Sequence, residues 1–583
     1  MKITIVNEKK NAGINLSEGE SLLAGLRRRG IYLPAYCGGR GTCGKCAFRL
    51  LKGNLKVTEA DRKAFDKEQL NEGYRLACQA YPQADCTIEL VASREEEFEI
   101  LTSSQVDQRC PRQQENEQCY GHQMDEQSPR QHEGEKCFGQ QKRNPSLGQH
   151  VGKECPTKQA GKQCIQSQSQ EFGIAVDIGT TTLVLELVDL KSGQTKAVDS
   201  RVNHQRAYGA DVISRIAAAN AGENQVLQES ICRDLFDGMR ALLDQSGVPW
   251  RRICKIVIAG NTTMCHLLMG YSCKGLGKSP FTPVNIQTIR MDAAQLLDCI
   301  REEGEKEFPT CLADVEVVIL PGVSVFIGAD IVSGMVACRL DQKENPCMLI
   351  DLGTNGEMVV GTRYGYLASS AAAGPAFEGG NISCGMGSVK GAIDTVDWKE
   401  GVFTYTTIGN GEPVGLCGTG VLEAIAELLK SGRMDVTGLL SDPDFEEGVQ
   451  IAQDALGHPI CLKQEDIRQI QLAKAAVRAC MEILMERYGI EVEDLETIYL
   501  SGGFGFRLNI EKAIYIGLLP SSFRGKVQVA GNTALAGAKA CLVDESLLHI
   551  AAGLAAGTKE IRLASDPEFR EVYFREINFD ECT

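Results

Sequence analysis

Apolar and polar positions change rhythm several times along this chain, and the changes divide it before any motif is considered. In KITIVN, from Lys2, the two kinds alternate, the mark of a half-buried strand. The AGINLSEGESLLAGLRRRG that follows reads as a second strand and then a helix, with Ser17 or Ser21 as its cap and Gly30 as its stop. AFRLLKG and CTIELVAS are again strand-like, so residues 1–92 predict one small domain. From Phe172 onward, apolar runs (GIAVDI, KIVIAG, CMLIDL, TIYLSG) alternate with helix-period stretches such as ICRDLFDGMRALLDQSG and DIRQIQLAKAAVRACMEILMERYG. That alternation is the signature of α/β architecture.

Between these two parts the pattern fails. Residues 104–170 are rich in Gln, Glu, Lys, Gly and His and repeat every nine residues: CPRQQENEQ, CYGHQMDEQ, SPRQHEGEK, CFGQQKRNP, SLGQHVGKE, CPTKQAGKQ, then CIQSQSQ. Cys110, Cys119, Cys137, Cys155 and Cys164 fall on this grid. A Cys/His metal tract and a disordered linker both fit the composition. The spacing brings no ligand pair close, which favours the linker.

At 583 residues the chain exceeds one core, since a domain holds roughly 100–200 residues. The expected units are 1–92, a linker over 93–170, and two further lobes, 171–345 and 346–583. A net charge of −16 argues against non-specific nucleic-acid binding and against an anionic membrane surface. The first residues carry no apolar signal core, and no apolar run approaches the ~20 residues that span a bilayer, so a cytoplasmic protein is expected. In that setting the 24 cysteines are reduced thiols or metal ligands. The fourteen beyond residue 170 form no Cys-x-x-Cys pair and read as small buried residues.

The early loop YCGGRGTCGKC is different. Cys37, Cys43 and Cys46 stand in C-x5-C-x2-C, with Cys78 far downstream in RLACQ. Four thiolates, three from a glycine-rich loop and one distant, suit an iron–sulfur cluster. Zinc usually takes two short pairs, and here there is one. Cys86 lies outside the pattern and reads as structural. The spacing and the RLACQ segment resemble the β-grasp [2Fe–2S] ferredoxins.

The second chemical motif occurs twice. FGIAVDIGTTTLVLELVDL reads as strand, tight turn, strand. Asp177 ends the first strand, where its carboxylate suits Mg²⁺ held through water; Gly179, Thr180, Thr181 and Thr182 offer backbone and hydroxyl groups to phosphate. CMLIDLGTNGEMVVG repeats the grammar, Asp351, Gly353 and Thr354 matching Asp177, Gly179 and Thr180, followed by Asn355, Gly356 and Glu357. IVIAGNTT at Ile256 and IYLSGGFG at Ile498 form a second echo. A duplicated core with two Asp-Gly-Thr turns facing across a cleft is expected. This order resembles the actin-like ATPases, a group that includes sugar kinases, heat-shock chaperones and actin. The resemblance makes Asp177 and Asp351 the catalytic carboxylates and Gly502, Gly503, Phe504 and Gly505 the adenosine motif. Gly418, Thr419 and Gly420, in a glycine turn opening a helix, suit either nucleotide contact or helix capping and close packing. NHQRAYGADVISRI, FIGADIVSGM and AAAGPAFEGGNISCGMG are polar-glycine stretches that fit hinge packing or a functional role equally.

A ferredoxin followed by an actin-like ATPase resembles the reductive activators of corrinoid-dependent enzymes, and AGNTTMCHLLMG, GADIVSGM, GPAFEGG and GLCGTG add to the likeness. The fold implied is a β-grasp [2Fe–2S] ferredoxin, a disordered repeat linker and a two-lobed actin-like ATPase. The implied activity is ATP-dependent return of inactive Co(II) corrinoid to Co(I), with a [2Fe–2S] cluster, ATP and Mg²⁺ as cofactors. The implied partners are a corrinoid protein, a low-potential donor such as a ferredoxin or flavodoxin, and a second copy in a homodimer. The repeat tract stands where the family places a small linker and a middle domain, so a ferredoxin without a fixed seat is expected. Three other readings stay open: a ferredoxin-linked small-molecule kinase, an activator of 2-hydroxyacyl-CoA dehydratases, and a nucleotide-gated redox scaffold. The second is disfavoured because the ATPase half lacks clustered cysteines.

Overall fold

The protein is described by a computed structural model covering residues 1–6, 12–29, 31, 33, 39–42, 44–90, 172–300, 308–353, 355–563 and 566–579. The nine-residue repeats and their cysteines lie outside the described residues, as do Cys37, Cys43, Gly30 and Thr354.

The first domain is a five-stranded sheet of β1 (Lys2–Val6), β2 (Ala12–Asn15), β3 (Ala47–Lys52), β4 (Tyr74–Leu76) and β5 (Cys86–Leu90), in the order β2-β1-β5-β3-β4. Period-two alternation puts Ile3, Ile5, Phe48 and Ile88 on one face. Helix α1 (Leu22–Arg28) closes that face with Leu22, Leu23 and Leu26. Of the two candidate caps, Ser21 serves: its Oγ accepts from the Ala24 N–H at 3.2 Å.

Phe172 opens a six-stranded sheet of β6 (Phe172–Ile178), β7 (Thr182–Asp189), β8 (Thr195–Val202), β9 (Ile253–Gly260), β10 (Ile289–Asp292) and β11 (Glu316–Ile319), ordered β10-β11-β9-β6-β7-β8. Helices α2 (Asn224–Ser246) and α3 (Thr262–Leu268) belong to it, and α4 (Ala329–Ala337) leads out of it. A second six-stranded sheet contains β12 (Cys347–Leu352), β13 (Gly356–Thr362) and β14 (Gly365–Ala371). Two small sheets are inserted after β14: β15 (Ala392–Lys399) with β16 (Val402–Thr407) and β17 (Gly415–Leu416), and β18 (Val449–Gln453) with β19 (Pro459–Leu462). Helices α5 (Gly418–Lys430) and α6 (Gln464–Tyr488) flank that hairpin. β20 (Thr497–Ser501), the short α7 (Gly502–Phe506), β21 (Val527–Gly531), α8 (Thr533–Val543) and β22 (Thr558–Glu560) complete this half, in the sheet order β21-β20-β12-β13-β14-β22.

The expected duplication is visible in these orders. β11-β9-β6-β7-β8 corresponds strand for strand to β21-β20-β12-β13-β14, with the first two junctions parallel and the last two antiparallel in both. Both first strands are buried on two faces, which explains their near-continuous apolar runs. Ile174, Val176 and Ile178 face one core; Ala175 joins another that also takes Leu349 of β12 and Ile331, Val332 and Met335 of α4. α4 and α8 cross within that shared core, where Ser333 Oγ donates to the Ala534 carbonyl at 2.6 Å.

Against the expectation of an unseated ferredoxin, α1 meets the second part of the chain. Arg27 donates to the Ala207 carbonyl and lies 4.5 Å above the centre of the Tyr208 ring.

Candidate functional site

The cleft is built from the two echoing hairpins. In the first, β6 and β7 pair so that Asp177 is opposite Val184, and the Gly179 N–H closes the turn on the Thr182 carbonyl at 2.9 Å. The loop carbonyls are then turned away from the cleft by a single buried segment. Asn203 Nδ2 donates to Gly179 O at 2.9 Å, the Asn203 N–H donates to Thr181 O at 2.9 Å, and Arg215 Nη2 donates to Thr180 O. Asn203 and Arg215 are both fully buried. With its carbonyls engaged behind it, the loop is left with the N–H and hydroxyl groups of Thr180 and Thr181 as its polar groups for a phosphate. In the second hairpin the Gly353 N–H donates to Asn355 O at 3.0 Å, and Asp351 pairs with Glu357 across β12 and β13.

Each catalytic candidate is held by a side chain from a distant strand end. Asn532 Nδ2 donates to Asp177 Oδ2 at 2.9 Å while its Oδ1 caps α8 through the Leu535 N–H at 2.9 Å. Asn261 does the same for the neighbouring group: Nδ2 to Thr180 Oγ1 at 3.1 Å, Oδ1 from the Met264 N–H at 2.9 Å. Ser501 Oγ donates to Asp351 Oδ2 at 2.8 Å.

Four carboxyl groups share this space, and they perturb one another. Burial first, then the Asp351 charge, pushes Asp177 up to about 6 against the hydrogen bond from Asn532. Burial and the charges of Asp351 and Asp177 push Asp330, at the start of α4, up to about 7. Burial raises Asp351, and burial together with Asp330 and Asp351 raises Glu357 well above the usual range. Among the described residues no three His, Cys, Asp or Glu side chains converge closely enough to hold a metal directly. The arrangement therefore fits a hydrated Mg²⁺ shared with phosphate oxygens, not an all-protein cage.

The segment Gly502–Phe506 packs against two others. Phe504 stacks on Phe377, ring centres 4.9 Å apart, and Gly418 lies against both. A Cβ at Gly418 or Gly420 would overlap the carbonyl oxygens of Phe377 or Ile393, and Thr419 is buried, so close packing requires glycine at both positions. Gly502 has φ +90°, and a Cβ there would stand 2.7 Å from Leu352 O and 2.9 Å from Asp351 Oδ1. Only glycine lets β20 end beside the second aspartate. Gly503 faces open space, whereas Gly505 packs against Leu500.

In the first domain, Cys46 and Cys78 are buried and their segments are joined by the Ala77 N–H to Cys46 O bond at 2.8 Å. Gly39, at φ +86°, brings the cysteine loop alongside Cys78, and Gln79 Nε2 donates to Gly39 O at 3.0 Å and to Cys78 Sγ at 3.6 Å. Two buried sulfurs, Gly39 beside Cys78 and an N–H aimed at the Cys78 sulfur fit an iron–sulfur cluster. Cys86 is buried in the apolar core with its thiol pushed up by burial, consistent with a structural residue.

With the geometry established, comparison with known proteins is decisive. Three family models tile the chain: the 2Fe-2S iron-sulfur cluster binding domain over residues 5–83, the RACo middle region over 172–343, and the C-terminal domain of RACo, the ASKHA domain, over 345–582. The corrinoid activation enzyme RamQ of Eubacterium limosum is 33% identical over 431 residues, 70% of each chain. The chain belongs to the reductive activators of corrinoid-dependent enzymes. This activator is also 27% identical over 437 residues, covering 70% of it and 77% of the relative, to the [Co(II) methylated amine-specific corrinoid protein] reductase of Methanosarcina barkeri. A solved reductive activator for corrinoid, iron-sulfur protein matches 99% of the activator and 98% of its own chain, with TM-score 0.64 and 26% identity. One expectation is corrected: the middle region is present at 172–343, so the repeat tract precedes it and does not replace it. Its hairpin repeats the grammar of the second half so closely that the sequence pattern alone presents it as an ATPase lobe. Among the described residues no helix of the activator is long and apolar enough to cross a membrane.

Asp330, Asn203, Arg215, Asn261 and Asn532 also reach the cleft; the stretches NHQRAYGADVISRI, FIGADIVSGM and AGNTTMCHLLMG contain the first four without marking which residue acts, and Asn532 lies in no marked stretch. The available signal was the triplet Gly-Asn-Thr, which occurs at Gly260–Thr262 and again at Gly531–Thr533, each time where a strand ends at the cleft.

Proposed function

We propose that this activator is an ATP-dependent reductase that returns the Co(II) form of a corrinoid protein to Co(I). One electron comes from a low-potential donor, such as a ferredoxin or flavodoxin, which is oxidised; ATP is hydrolysed to ADP and phosphate. The observation that carries the reading is the presence of a cysteine-bearing ferredoxin domain and a twin-hairpin carboxylate cleft on one chain that is 33% identical to a corrinoid activation enzyme. Bound at Cys37, Cys43, Cys46 and Cys78, the cluster would supply a one-electron store, and Mg²⁺ bound with the nucleotide would neutralise phosphate charge.

The chain's own groups have separable tasks. Thr180 and Thr181 present donors to the phosphates, while Asn203 and Arg215 keep the loop carbonyls from opposing them. Asp177, at about 6, is mostly ionised at neutral pH and orients the hydrated cation. Asp330, at about 7, is matched to accept a proton from the attacking water at Oδ2, since Oδ1 is engaged by the Ile331 N–H at 2.8 Å. Asp177 answers to α8 through Asn532, Asp330 sits on α4, and those helices cross between the sheets. Nucleotide can move the lobes only by its differential affinity for their two arrangements, and these are the contacts through which it would act.

ATP turnover by the purified holoprotein tests this, with and without a Co(II) corrinoid protein. The proposal expects turnover that the corrinoid protein stimulates and that Asp177→Asn lowers by at least ~100-fold. Turnover indifferent to both would overturn it.

A further inference from the structure

The contact between α1 and the segment after β8 links the cysteine-bearing domain to the first phosphate loop. On the ferredoxin side, α1 is tied to the turn after β4 that bears the fourth cysteine: the Leu22 N–H donates to Ala80 O at 2.8 Å and the Leu23 N–H to Ala77 O at 3.0 Å, bracketing Cys78. Near the far end of α1, Arg27 is half-buried, and burial holds its guanidinium below the usual range against Glu223, Tyr208, Cys46 and Cys78, which favour its charge. One guanidinium thus lies between Cys46 and Cys78 on one side and the neighbouring domain on the other.

On the receiving side, Ala207 ends a 3-10 turn, His204–Ala207, that starts from Asn203. Ala207 and Tyr208 are almost fully buried, so the turn is a rigid seat. Its first residue holds Gly179 O and Thr181 O. Arg215 spans it from behind, bonding Gly209 O at 2.9 Å, Gln205 Oε1 at 3.4 Å and Thr180 O. Residues 203–209 therefore touch Arg27 on one side and the Gly179 and Thr181 carbonyls on the other, while Arg215, bonded to Gly209 O and Gln205 Oε1, holds the Thr180 carbonyl between them.

We infer that Arg27 is a positioning residue through which seating of the ferredoxin and occupancy of the first phosphate loop by a nucleoside triphosphate are thermodynamically coupled. The coupling is reciprocal: whatever factor seating applies to nucleotide affinity, nucleotide applies to seating. The inference rests on the ATP-binding reading of the cleft. It adds that a residue of the ferredoxin, which lines no part of that cleft, sets how tightly the cleft binds.

The test uses the full-length holoprotein and a non-hydrolysable ATP analogue with Mg²⁺. Dissociation constants are measured for wild type, Arg27→Ala, Arg27→Lys, Tyr208→Leu, the Arg27→Ala/Tyr208→Leu double variant, and Lys63→Ala, an exposed charge elsewhere on the ferredoxin. Arg27→Ala should change the constant by about five-fold or more, the lower range of measured couplings. Arg27→Lys, which keeps a cation over Tyr208, should restore most of it, and Lys63→Ala should leave it unchanged. Removing Arg27 in the Tyr208→Leu background should add less than two-fold. In wild type, but not in Arg27→Ala, the analogue should alter amide hydrogen exchange over residues 22–28. A constant within two-fold of wild type in Arg27→Ala, with the visible cluster spectrum intact, overturns the coupling and leaves the ATP reading standing. Should Arg27→Ala lose its cluster, Arg27→Lys and the exchange of residues 22–28 in wild type decide, and no exchange response there overturns the coupling. Wild type that binds no analogue overturns both readings.

Discussion

Asp330→Asn separates what the cleft costs the fold from what it contributes to chemistry. The carboxyl rises from its ordinary 3.8 to about 7, so the folded protein binds a proton that the unfolded chain has released at intermediate pH. Asp330 therefore contributes stability that is fully present below about pH 4 and is lost as pH rises through about 7. A shift of about three units corresponds to roughly 4 kcal/mol at about 1.4 kcal/mol per unit. Because the group is half-buried at the edge of a wet cleft, screening reduces the usable figure to about 2 kcal/mol. Asparagine keeps the Oδ1 acceptor for the Ile331 N–H and never ionises. The variant should thus be more stable than wild type, by a margin that is smaller at pH 5 and full, at about 2 kcal/mol, by pH 8. Thermal unfolding without Mg²⁺ or nucleotide measures this. The only tryptophans, Trp250 and Trp398, both lie beyond residue 171 and report on the cleft-bearing part of the chain alone. The expected rise in melting temperature at pH 8 is a few degrees, given about 2–4 °C per kcal/mol for mid-sized domains. The same variant should slow ATP turnover by ~100-fold or more. A variant less stable than wild type at pH 8, or a margin independent of pH, would refute the electrostatic account.

Four further variants probe other parts of the molecule. Gly502→Ala forces a side chain into φ +90° against Leu352 O and Asp351 Oδ1, so denaturant unfolding should show a loss of about 2–3 kcal/mol and ATP turnover should fall; a neutral outcome would mean that β20 can end differently beside Asp351. Cys78→Ser should abolish the visible absorption of the cluster while Cys86→Ser leaves it unchanged, and the reverse would redraw the ligand set. Lys512, whose Nζ lies 2.9 Å from Glu423, leaves that buried carboxylate without a cation when changed to Ala, while Glu427 keeps Lys430 at 2.8 Å; a loss of about 3–5 kcal/mol is expected, and less than ~1 kcal/mol would show that water reaches Glu423.

What the sequence disclosed was local and repeated. The hairpins at Asp177 and Asp351 stand out because each is one strand, one turn and one strand of contiguous residues, and because the chain spells the unit twice. The individual roles of Asn203, Asp330 and Asn532 were hidden for the opposite reason: each reaches the cleft from a separate strand or helix end, and the stretch around Asn203 fits hinge packing equally well until sheet order brings Asn203 under Gly179. Asn532 sits 355 residues from the carboxylate it holds. The glycines of GLCGTG were legible as a turn opening a helix; the positions of Phe377 O and Ile393 O add the reason why no side chain fits at Gly418 or Gly420. The seat of the ferredoxin had no sequence signal at all, since a single arginine in an RRR run carries it.

The central claim is that this chain uses ATP to place an electron on cobalt. The most direct measurement is anaerobic. The pre-reduced full-length protein is mixed with a corrinoid protein of its host in the Co(II) state, and cobalt absorption is followed over a single turnover. The account predicts that Co(I) appears when ATP and Mg²⁺ are both present and not when either is withheld, and that Asp177→Asn abolishes it. Co(II) that persists in the complete mixture, or that is reduced equally well without nucleotide, would contradict it.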